Sequence, residues 1–242
     1  MAGAQRNADL SLSSLLVVQA LTLFVAIPIG ASRPTGHLLL DACHIVFALV
    51  CIVILTPHRV LQGALLTTIL VLSVGPFFAD MLSAQLNISD DIRHQLIALT
   101  AFIFNTAVTI IVARHVFAPG RVTAHRVQGA ILLYLNFGSL FAIAYTLIDA
   151  HAPGSIAPTA GGHLPVIAGA RLATLTYFSL TTLTTTGFGD FLPISPLARS
   201  LASLEAVIGQ LFPATLLARV VALRLAHQKD QSFARAKIRT VD

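Results

Sequence analysis

The sequence predicts an all-α membrane protein, and three features of its composition and pattern support this fold class. Of its 242 residues, 56% are hydrophobic and only 10% are charged, whereas soluble globular domains carry roughly 25% charged residues. Apolar stretches without charges recur along the chain, and each can cross a bilayer core about 30 Å thick as a helix. Turn-forming sequences separate these stretches at Pro34-Thr35-Gly36, Pro57-His58, Ser89-Asp90-Asp91 and Pro119-Gly120.

Six transmembrane helices are predicted from these stretches. Five of them carry no charged residue, namely 10–32, 42–58, 60–79, 94–113 and 127–148. The sixth, at about 196–225, contains Arg199, Glu205 and Arg219, so we expect it to contact protein or water rather than lipid. The first stretch, with Arg6 before it, also has features of a secretory signal peptide. Its apolar part exceeds the usual length of about 7 to 15 residues, which favours a retained helix.

The distribution of Lys and Arg residues predicts how the six helices are oriented. One side of the membrane collects eleven of these residues, and the other holds four, which are Arg33, Arg93, Arg171 and Arg199. Because Lys and Arg are enriched in cytoplasmic loops, both termini are predicted to be cytoplasmic. The segment between helices five and six, residues 149–195, then begins and ends outside.

This outer segment is too long for a simple connection, and it contains a short helical stretch. It opens with a part rich in Gly, Pro and Ala at 151–170, and the residues from Arg171 to about Thr184 are suited to a helix of roughly 20 Å. A helix of that length cannot cross the membrane and return. We therefore predict a re-entrant half-helix followed by extended chain, which is tolerated only where it is buried in protein or lines a water-filled cavity.

The run after this half-helix carries the chemical signal. It reads Thr184-Thr185-Thr186-Gly187-Phe188-Gly189-Asp190. This run resembles the selectivity filter of the tetrameric potassium channels, Thr-Thr-Val-Gly-Tyr-Gly-Asp, with Thr186 for Val and Phe188 for Tyr. The resemblance covers 122–227 in the family order of outer helix, pore helix, filter and inner helix, and the number of predicted helices resembles the six-helix bacterial type. It extends to Gly209, which follows Asp190 by 19 residues, where the family often has a hinge.

The residue types fit this chemistry independently of the resemblance. Dehydrating a potassium ion requires several oxygens around it, and neutral carbonyls bind the ion without trapping it. Gly187 and Gly189 can adopt backbone conformations closed to other residues, which lets consecutive carbonyls point toward one axis. A Thr- and Gly-rich turn between two helices is the alternative interpretation, but it explains neither the half-helix nor the spacing to Gly209.

The resemblance implies an ion-binding filter and an oligomer. Potassium would be bound by carbonyl oxygens of Thr185, Thr186, Gly187 and Phe188, with the Thr185 hydroxyl at the inner end and Gly189 completing the filter. One chain supplies one filter strand, so a homotetramer with fourfold symmetry is implied.

Several residues are expected to support the filter. By resemblance, Asp190 lies behind the outer mouth, and Tyr177 and Phe178 pack around the filter. Phe188 lacks the tyrosine hydroxyl that commonly ties the filter to its surroundings, so filter stability and inactivation are expected to differ from the family. Potassium preference should survive because the carbonyls are unchanged.

Glu205 is a further candidate for filter support. It lies one helical turn before Gly209 on the same face of helix six, where an unpaired carboxylate would be costly. The resemblance implies that this face packs behind the pore helix, so we expect Glu205 to be protonated or hydrogen-bonded to a hydroxyl of that helix, with Thr181 and Thr184 as the nearest candidates. A carboxylate in the ion cavity is the alternative.

Helix six also contains a candidate gating hinge. Gly209 and Pro213 can each relax helix geometry, and close packing of the inner helices is their alternative role. By resemblance, Gln210, Pro213 and Leu217 would line the cavity below the filter.

The sequence thus divides into a four-helix transmembrane domain at 1–118, a pore domain at 119–228 and a short basic cytoplasmic tail at 229–242. Six-helix channels often sense voltage through regularly spaced arginines in the fourth helix. Here Arg93 and Arg114 stand at the ends of that helix with no Lys or Arg between them. The domain at 1–118 is therefore expected to be a scaffold around the pore rather than a typical voltage sensor. The tail is either solvated or in contact with anionic lipid headgroups.

The predicted function is passive potassium conduction in a bacterial inner membrane, with weak voltage dependence, no enzymatic activity and no cofactor besides the permeant ion. A non-selective cation channel is the first alternative, and a carboxylate in place of Phe188 would have favoured it. A secondary transporter would contain broken helices in two related halves, and an intramembrane enzyme would need polar residues clustered within helices. The net charge of +5 comes without a basic patch interleaved with aromatics, so membrane lipids are expected partners and nucleic acid is not.

Overall fold

The computed structural model describes residues 2–32, 42–43, 45–47, 49–50, 90–117 and 124–239. Helix α1 (Ala2–Leu21) continues through a π-helical turn (Thr22–Ala26) into α2 (Ile27–Ser32). The later elements are α3 (Asp90–Val116), α4 (Ala124–His151), β1 (Ile156–Pro158), α5 (Ala168–Leu183), β2 (Phe191–Pro193) and α6 (Pro196–Arg239). The described part of the chain is therefore mostly helical.

Four of the described helical segments are long and apolar enough to span a membrane. They are Leu12–Ala31, Gln95–Val116, Arg126–His151 and Pro196–Arg219, and they correspond to predicted helices one, four, five and six. The helix predicted at 60–79 lies outside the described residues. Of the one predicted at 42–58, the described residues, all between 42 and 50, are helical. Apolar helices of this length make the chain an integral membrane protein.

The first helix changes its hydrogen-bonding pattern just before a proline. The N–H of Ile27 donates to the carbonyl of Thr22, five residues earlier, and the Thr22 hydroxyl donates to the carbonyl of Val18. Pro28 has no N–H with which to continue the α-helical pattern, and π-helical turns accompany interruptions of this kind. The helix therefore continues through its apolar span despite the proline.

Two apolar clusters hold the helices together. The first joins α1, α3 and α4 and includes the fully buried side chains of Leu15, Val108, Leu132 and Leu133. The second joins α4, α5 and α6 and includes Tyr145, Leu175, Phe178 and Ala198. Because burial of apolar side chains fixes how these helices pack, the second cluster sets the position of α5 between its neighbours.

Polar side chains add contacts between α4 and the preceding helices. The Asn136 amide donates to the hydroxyl of Thr109 on α3, and the Gln19 amide on α1 donates to the hydroxyl of Ser139 at 2.8 Å. Hydrogen bonds between helices help association within a bilayer, where apolar contacts alone are not selective. These contacts fix α1 and α3 against the outer face of α4.

A small antiparallel sheet connects the segment after α4 with the segment before α6. Ile156 of β1 lies opposite Pro193 of β2, and Pro158 lies opposite Phe191. The all-α prediction did not include this sheet. Each strand has three residues and one of them is a proline, so the sequence offers no alternating pattern from which a strand could be predicted.

Candidate functional site

The candidate site begins at the C-terminal end of α5. This helix has 16 residues, or about 24 Å, so it is too short to span a bilayer. Its predicted range, from Arg171 to about Thr184, agrees closely with the observed one. Beyond the helix the chain folds back on itself, since the N–H groups of Thr186 and Gly187 both donate to the carbonyl of Thr181, at 2.8 and 3.2 Å. The loop backbone thus caps the helix end.

The loop after α5 alternates between left-handed and right-handed backbone conformations. The φ angle is +55° at Thr185, +52° at Gly187 and +78° at Gly189, but it is not positive at Thr186 or Phe188. An alternation of this kind turns successive peptide groups toward the same side. Both glycines have the conformation expected from the sequence. Thr185 adopts a conformation that is rare for a β-branched residue, and strain of this kind concentrates at functional sites.

Four consecutive carbonyls of this loop lack a partner within the described chain. No described residue donates a hydrogen bond to the carbonyl of Thr185, Thr186, Gly187 or Phe188. All residues from 184 to 190 are exposed in the single chain. Because carbonyls inside proteins or membranes are nearly always paired, these four oxygens are available to water, an ion or another chain.

The outer end of the loop is held by the segment before α5. The N–H of Thr159 donates to the carbonyl of Asp190 at 2.8 Å, and the Thr159 hydroxyl donates to the carbonyl of Gly189. Thr159 directly follows β1, so the pairing of β1 with β2 places it against the loop. The carboxylate of Asp190 accepts the N–H of Phe191 at 3.2 Å. Hydrogen bonds to the carbonyls of Thr181, Gly189 and Asp190 thus hold the two ends of the loop. The four carbonyls between these ends, at 185–188, accept no hydrogen bond from a described residue.

The two aromatic residues predicted around the filter lie on different sides of α5. The Tyr177 ring is stacked on Phe188 with a centroid distance of 6.2 Å, and it meets Phe191 edge-on at 6.3 Å. Phe178 is buried in the second cluster, with its ring centroid 5.0 Å from that of Tyr145. Tyr177 therefore contacts the loop directly, whereas Phe178 packs α5 against α4.

Glu205 lies at the point where three helices meet. Its side chain is fully buried, at 0% exposure. One carboxyl oxygen is 2.5 Å from the hydroxyl of Ser179 on α5, and the other accepts the hydroxyl of Tyr145 on α4 at 2.6 Å. The Ser179 oxygen is also 2.8 Å from the carbonyl of Gly138 on α4. The carboxyl group is thus enclosed by hydrogen-bonding groups from two neighbouring helices.

The predicted partners of Glu205, Thr181 and Thr184, were wrong. The Thr181 hydroxyl donates to the carbonyl of Phe178 and the Thr184 hydroxyl to that of Leu180, so both side chains bond to their own helix. A pore-helix hydroxyl does contact Glu205, as the sequence indicated, but it belongs to Ser179.

The inner end of the loop contacts α6. The Gln210 amide donates to the hydroxyl of Thr185 at 2.7 Å. Gln210, Pro213 and Leu217, the three predicted cavity residues, are all exposed in the single chain. Helix α6 continues through Gly209 and Pro213 without interruption. Pro213 nonetheless has no N–H to donate to the carbonyl of Gly209, four residues earlier.

Three residues of the site were missed in the sequence. Thr159 lies in a Gly-, Pro- and Ala-rich segment that carries no recognisable pattern. Tyr145 is one of two tyrosines in an apolar helix, and nothing in the sequence distinguishes it as a partner of Glu205. Ser179 is a pore-helix hydroxyl like Thr181 and Thr184, but the sequence does not indicate which face of α5 meets α6.

Comparison with known families identifies part of the chain. Residues 156–224 match the family model described as "Ion channel". The matched segment runs from β1 through α5 and the loop into α6, so it contains Glu205 and the four unpaired carbonyls. Searches of curated proteins and of solved structures found no match. The match supports an ion channel domain in this segment and passive ion conduction by the chain.

Proposed function

We propose that the chain is one subunit of a potassium-selective channel and that potassium passes through the loop at 185–189. The observation that carries this proposal is the run of unpaired carbonyls from Thr185 to Phe188 on a backbone of alternating handedness. Carbonyl oxygens arranged in rings can replace the hydration shell of potassium, and their neutrality lets the ion leave again. The Thr185 hydroxyl adds an oxygen at the inner end.

A homotetramer is part of this proposal, because one chain supplies only one side of an ion site. Large apolar side chains are exposed in the loop and next to it, including Phe188 at 69% and Leu211 at 57%, the latter adjacent to Gln210, which contacts Thr185. Exposed apolar side chains next to unpaired carbonyls are typical of a surface that another subunit covers. Fourfold cyclic symmetry would bring four loops around one axis and leave a closed ring.

The electrostatics of α5 and Asp190 also favour a cation. The C-terminal end of a helix carries partial negative charge, and α5 ends at Leu183, immediately before the loop. At the other end of the loop, Asp190 contributes a carboxylate that no described residue neutralises with an ion pair. A cation entering the loop would therefore meet negative potential at both ends.

The membrane setting of the proposed channel follows from the charge distribution. With eleven Lys and Arg residues on one side and four on the other, both termini would face the cytoplasm. The basic residues of the tail at 229–242 would then lie beside anionic lipid headgroups.

Ion flux from liposomes tests the proposal. Purified protein is reconstituted with potassium on one side and sodium on the other, and the reversal potential is measured. We expect a reversal potential close to the potassium equilibrium potential. Equal permeability for the two ions would instead identify a non-selective cation channel, and the absence of any flux would contradict the channel itself.

A matched pair of glycine variants tests whether the loop is the conducting element. Gly187 and Gly162 both have positive φ, at +52° and +99°, and a Cβ added at either would meet no atom within 4 Å. Alanine therefore costs backbone strain at both positions, on the order of 1 kcal/mol. We expect Gly187→Ala to abolish flux and Gly162→Ala to retain it. If Gly187→Ala conducts as well as Gly162→Ala, the ion path lies elsewhere.

A further inference from the structure

The hydrogen-bonding groups around Glu205 form a closed set of three oxygen–oxygen contacts. The Tyr145 hydroxyl contacts one carboxyl oxygen at 2.6 Å, the Ser179 hydroxyl contacts the other at 2.5 Å, and Ser179 also contacts the Gly138 carbonyl at 2.8 Å. Tyr145, Ser179 and Glu205 are each 0% exposed. Solvent therefore does not provide protons or lone pairs for this set.

Counting protons decides the state of the carboxyl group. Each of the three contacts needs one proton between its two oxygens. Tyrosine and serine supply one proton each, and a backbone carbonyl supplies none. With an ionised carboxylate, Ser179 could donate to only one of its two neighbours, and the other contact would leave two oxygens facing each other without a proton. A proton on Glu205 completes the set.

The charged and titratable groups around Glu205 do not stabilise an ionised carboxylate. Among the described residues, the titratable groups near Glu205 are the hydroxyl of Tyr145 and, farther away on α4, that of Tyr134, which donates to the carbonyl of Leu183. Within the described part of the chain, Arg171 pairs with Asp149 at 3.7 Å, and no cation pairs with Glu205. An ionised carboxylate buried in this way would lack a counter-charge.

We propose that Glu205 is a neutral carboxylic acid that positions the pore helix α5 between α4 and α6. The acid proton donates to the Ser179 hydroxyl, the Ser179 proton donates to the Gly138 carbonyl, and the Tyr145 hydroxyl donates to the second carboxyl oxygen. One side chain of α6 thereby holds both neighbouring helices. In the proposed channel, to which this role belongs, the group sets the position of the filter without placing a charge beside it.

The register of the two helices supports this positioning role. Ser179 and Leu183 lie one turn apart on α5, and they face Glu205 and Gly209, which lie one turn apart on α6. The hydrogen bond between Ser179 and Glu205 and the close backbone contact between Leu183 and Gly209 thus lie on consecutive helical turns. A displacement of α6 at Glu205 would be transmitted to Leu183, the last residue before the loop.

Infrared spectroscopy of the purified protein tests the protonation state directly. The difference spectrum between the wild type and Glu205→Gln at neutral pH should contain the carbonyl stretching band of a protonated carboxylic acid, present only in the wild type. A carboxylate band in its place would overturn the proposal. This measurement does not depend on ion conduction, so its outcome is separate from that of the flux experiment.

Variants of the same side chain test the positioning role. A glutamine amide can donate to Ser179 and accept from Tyr145, as the neutral acid does, so Glu205→Gln should retain the thermal stability and the conductance of the wild type. Glu205→Ala leaves the Tyr145 hydroxyl without a partner and leaves Ser179 with only the Gly138 carbonyl, and we expect it to lower the amount of folded, conducting protein by about tenfold or more. Tyr145→Phe, which removes one contact, should have a smaller effect. A Glu205→Gln variant as unstable as Glu205→Ala would contradict the proposal.

Discussion

Gly209 on α6 lies directly against the carbonyl of Leu183 at the end of α5. A Cβ added at Gly209 would stand 1.7 Å from this oxygen and 2.7 Å from its carbon, distances that real side chains do not adopt. The sequence left open whether Gly209 serves as a hinge or as a packing residue. The contact favours packing, because only glycine lets the two helices approach this closely.

Replacement of Gly209 by alanine should therefore separate α6 from α5. Overpacking typically costs about 1–3 kcal/mol, and we expect the upper end of this range because the obstructing atom belongs to the backbone. The thermal unfolding temperature of the purified protein should fall. Ser203→Ala, at an exposed position of the same helix, is the control and should change it little. An unchanged unfolding temperature for Gly209→Ala would mean that the helices can move apart without cost.

The Thr159 hydroxyl is expected to stabilise the outer end of the loop. Thr159→Val keeps the shape of the side chain and the backbone N–H contact with Asp190, but it removes the donor to the Gly189 carbonyl. A hydrogen bond of this kind contributes about 1 kcal/mol. We expect shorter conducting periods in single-channel recordings, without a change in reversal potential. Thr159→Ser retains the hydroxyl and should behave like the wild type, and indistinguishable recordings for valine and serine would exclude this role.

Local patterns in the sequence predicted much of the site. The length of α5 followed from its composition, and the positive φ angles at Gly187 and Gly189 followed from the residue type. The positive φ at Thr185 could not be predicted, because a β-branched residue rarely adopts it. It is imposed by the neighbouring turn, in which the amides of the next two residues bond back to Thr181.

Contacts between distant segments were harder to predict. Periodicity placed Glu205 on the same face of α6 as Gly209, but it could not tell how α5 is rotated against that face. The choice between Thr181 and Ser179 depends on this rotation, and it is settled by the packing of Phe178 and Leu175 against α4. The contact between Thr159 and Gly189 depends on the pairing of two three-residue strands, which leaves no pattern in the sequence.

Conduction is expected to depend only weakly on voltage. The interior of α3 contains no Lys or Arg between Arg93 and Arg114. Moving one elementary charge through the membrane field contributes about 2.3 kcal/mol per 100 mV, so a single gating charge would already change the open equilibrium by roughly a thousandfold over about 200 mV. We expect the open probability to change by less than about tenfold over that range. A steep activation curve in planar bilayer recordings would show that charges elsewhere in the chain move.

Arg219 links the far half of α6 to the end of α3. Its guanidinium donates to the carbonyl of Phe117 at 2.9 Å and lies over the Phe117 ring, 5.0 Å from its centroid. Ten residues separate Arg219 from Gly209 along α6, which corresponds to about 15 Å. The contact is therefore remote from the loop, and it acts on the position of the helix rather than on ion binding.

Replacing Arg219 by methionine should change the open probability but not the ion selectivity. The variant keeps an unbranched side chain and removes both the hydrogen bond and the cation–π contact. Phe117→Leu keeps the backbone carbonyl and loses the ring contact with Arg219, worth about 0.5–1 kcal/mol, together with an edge-on contact with Phe212, so we expect a smaller change in the same direction. Open probability and reversal potential are read from the same single-channel recordings. A shifted reversal potential in Arg219→Met would mean that this contact affects the carbonyls at 185–188. An unchanged open probability would mean that α3 is not coupled to α6 through Arg219.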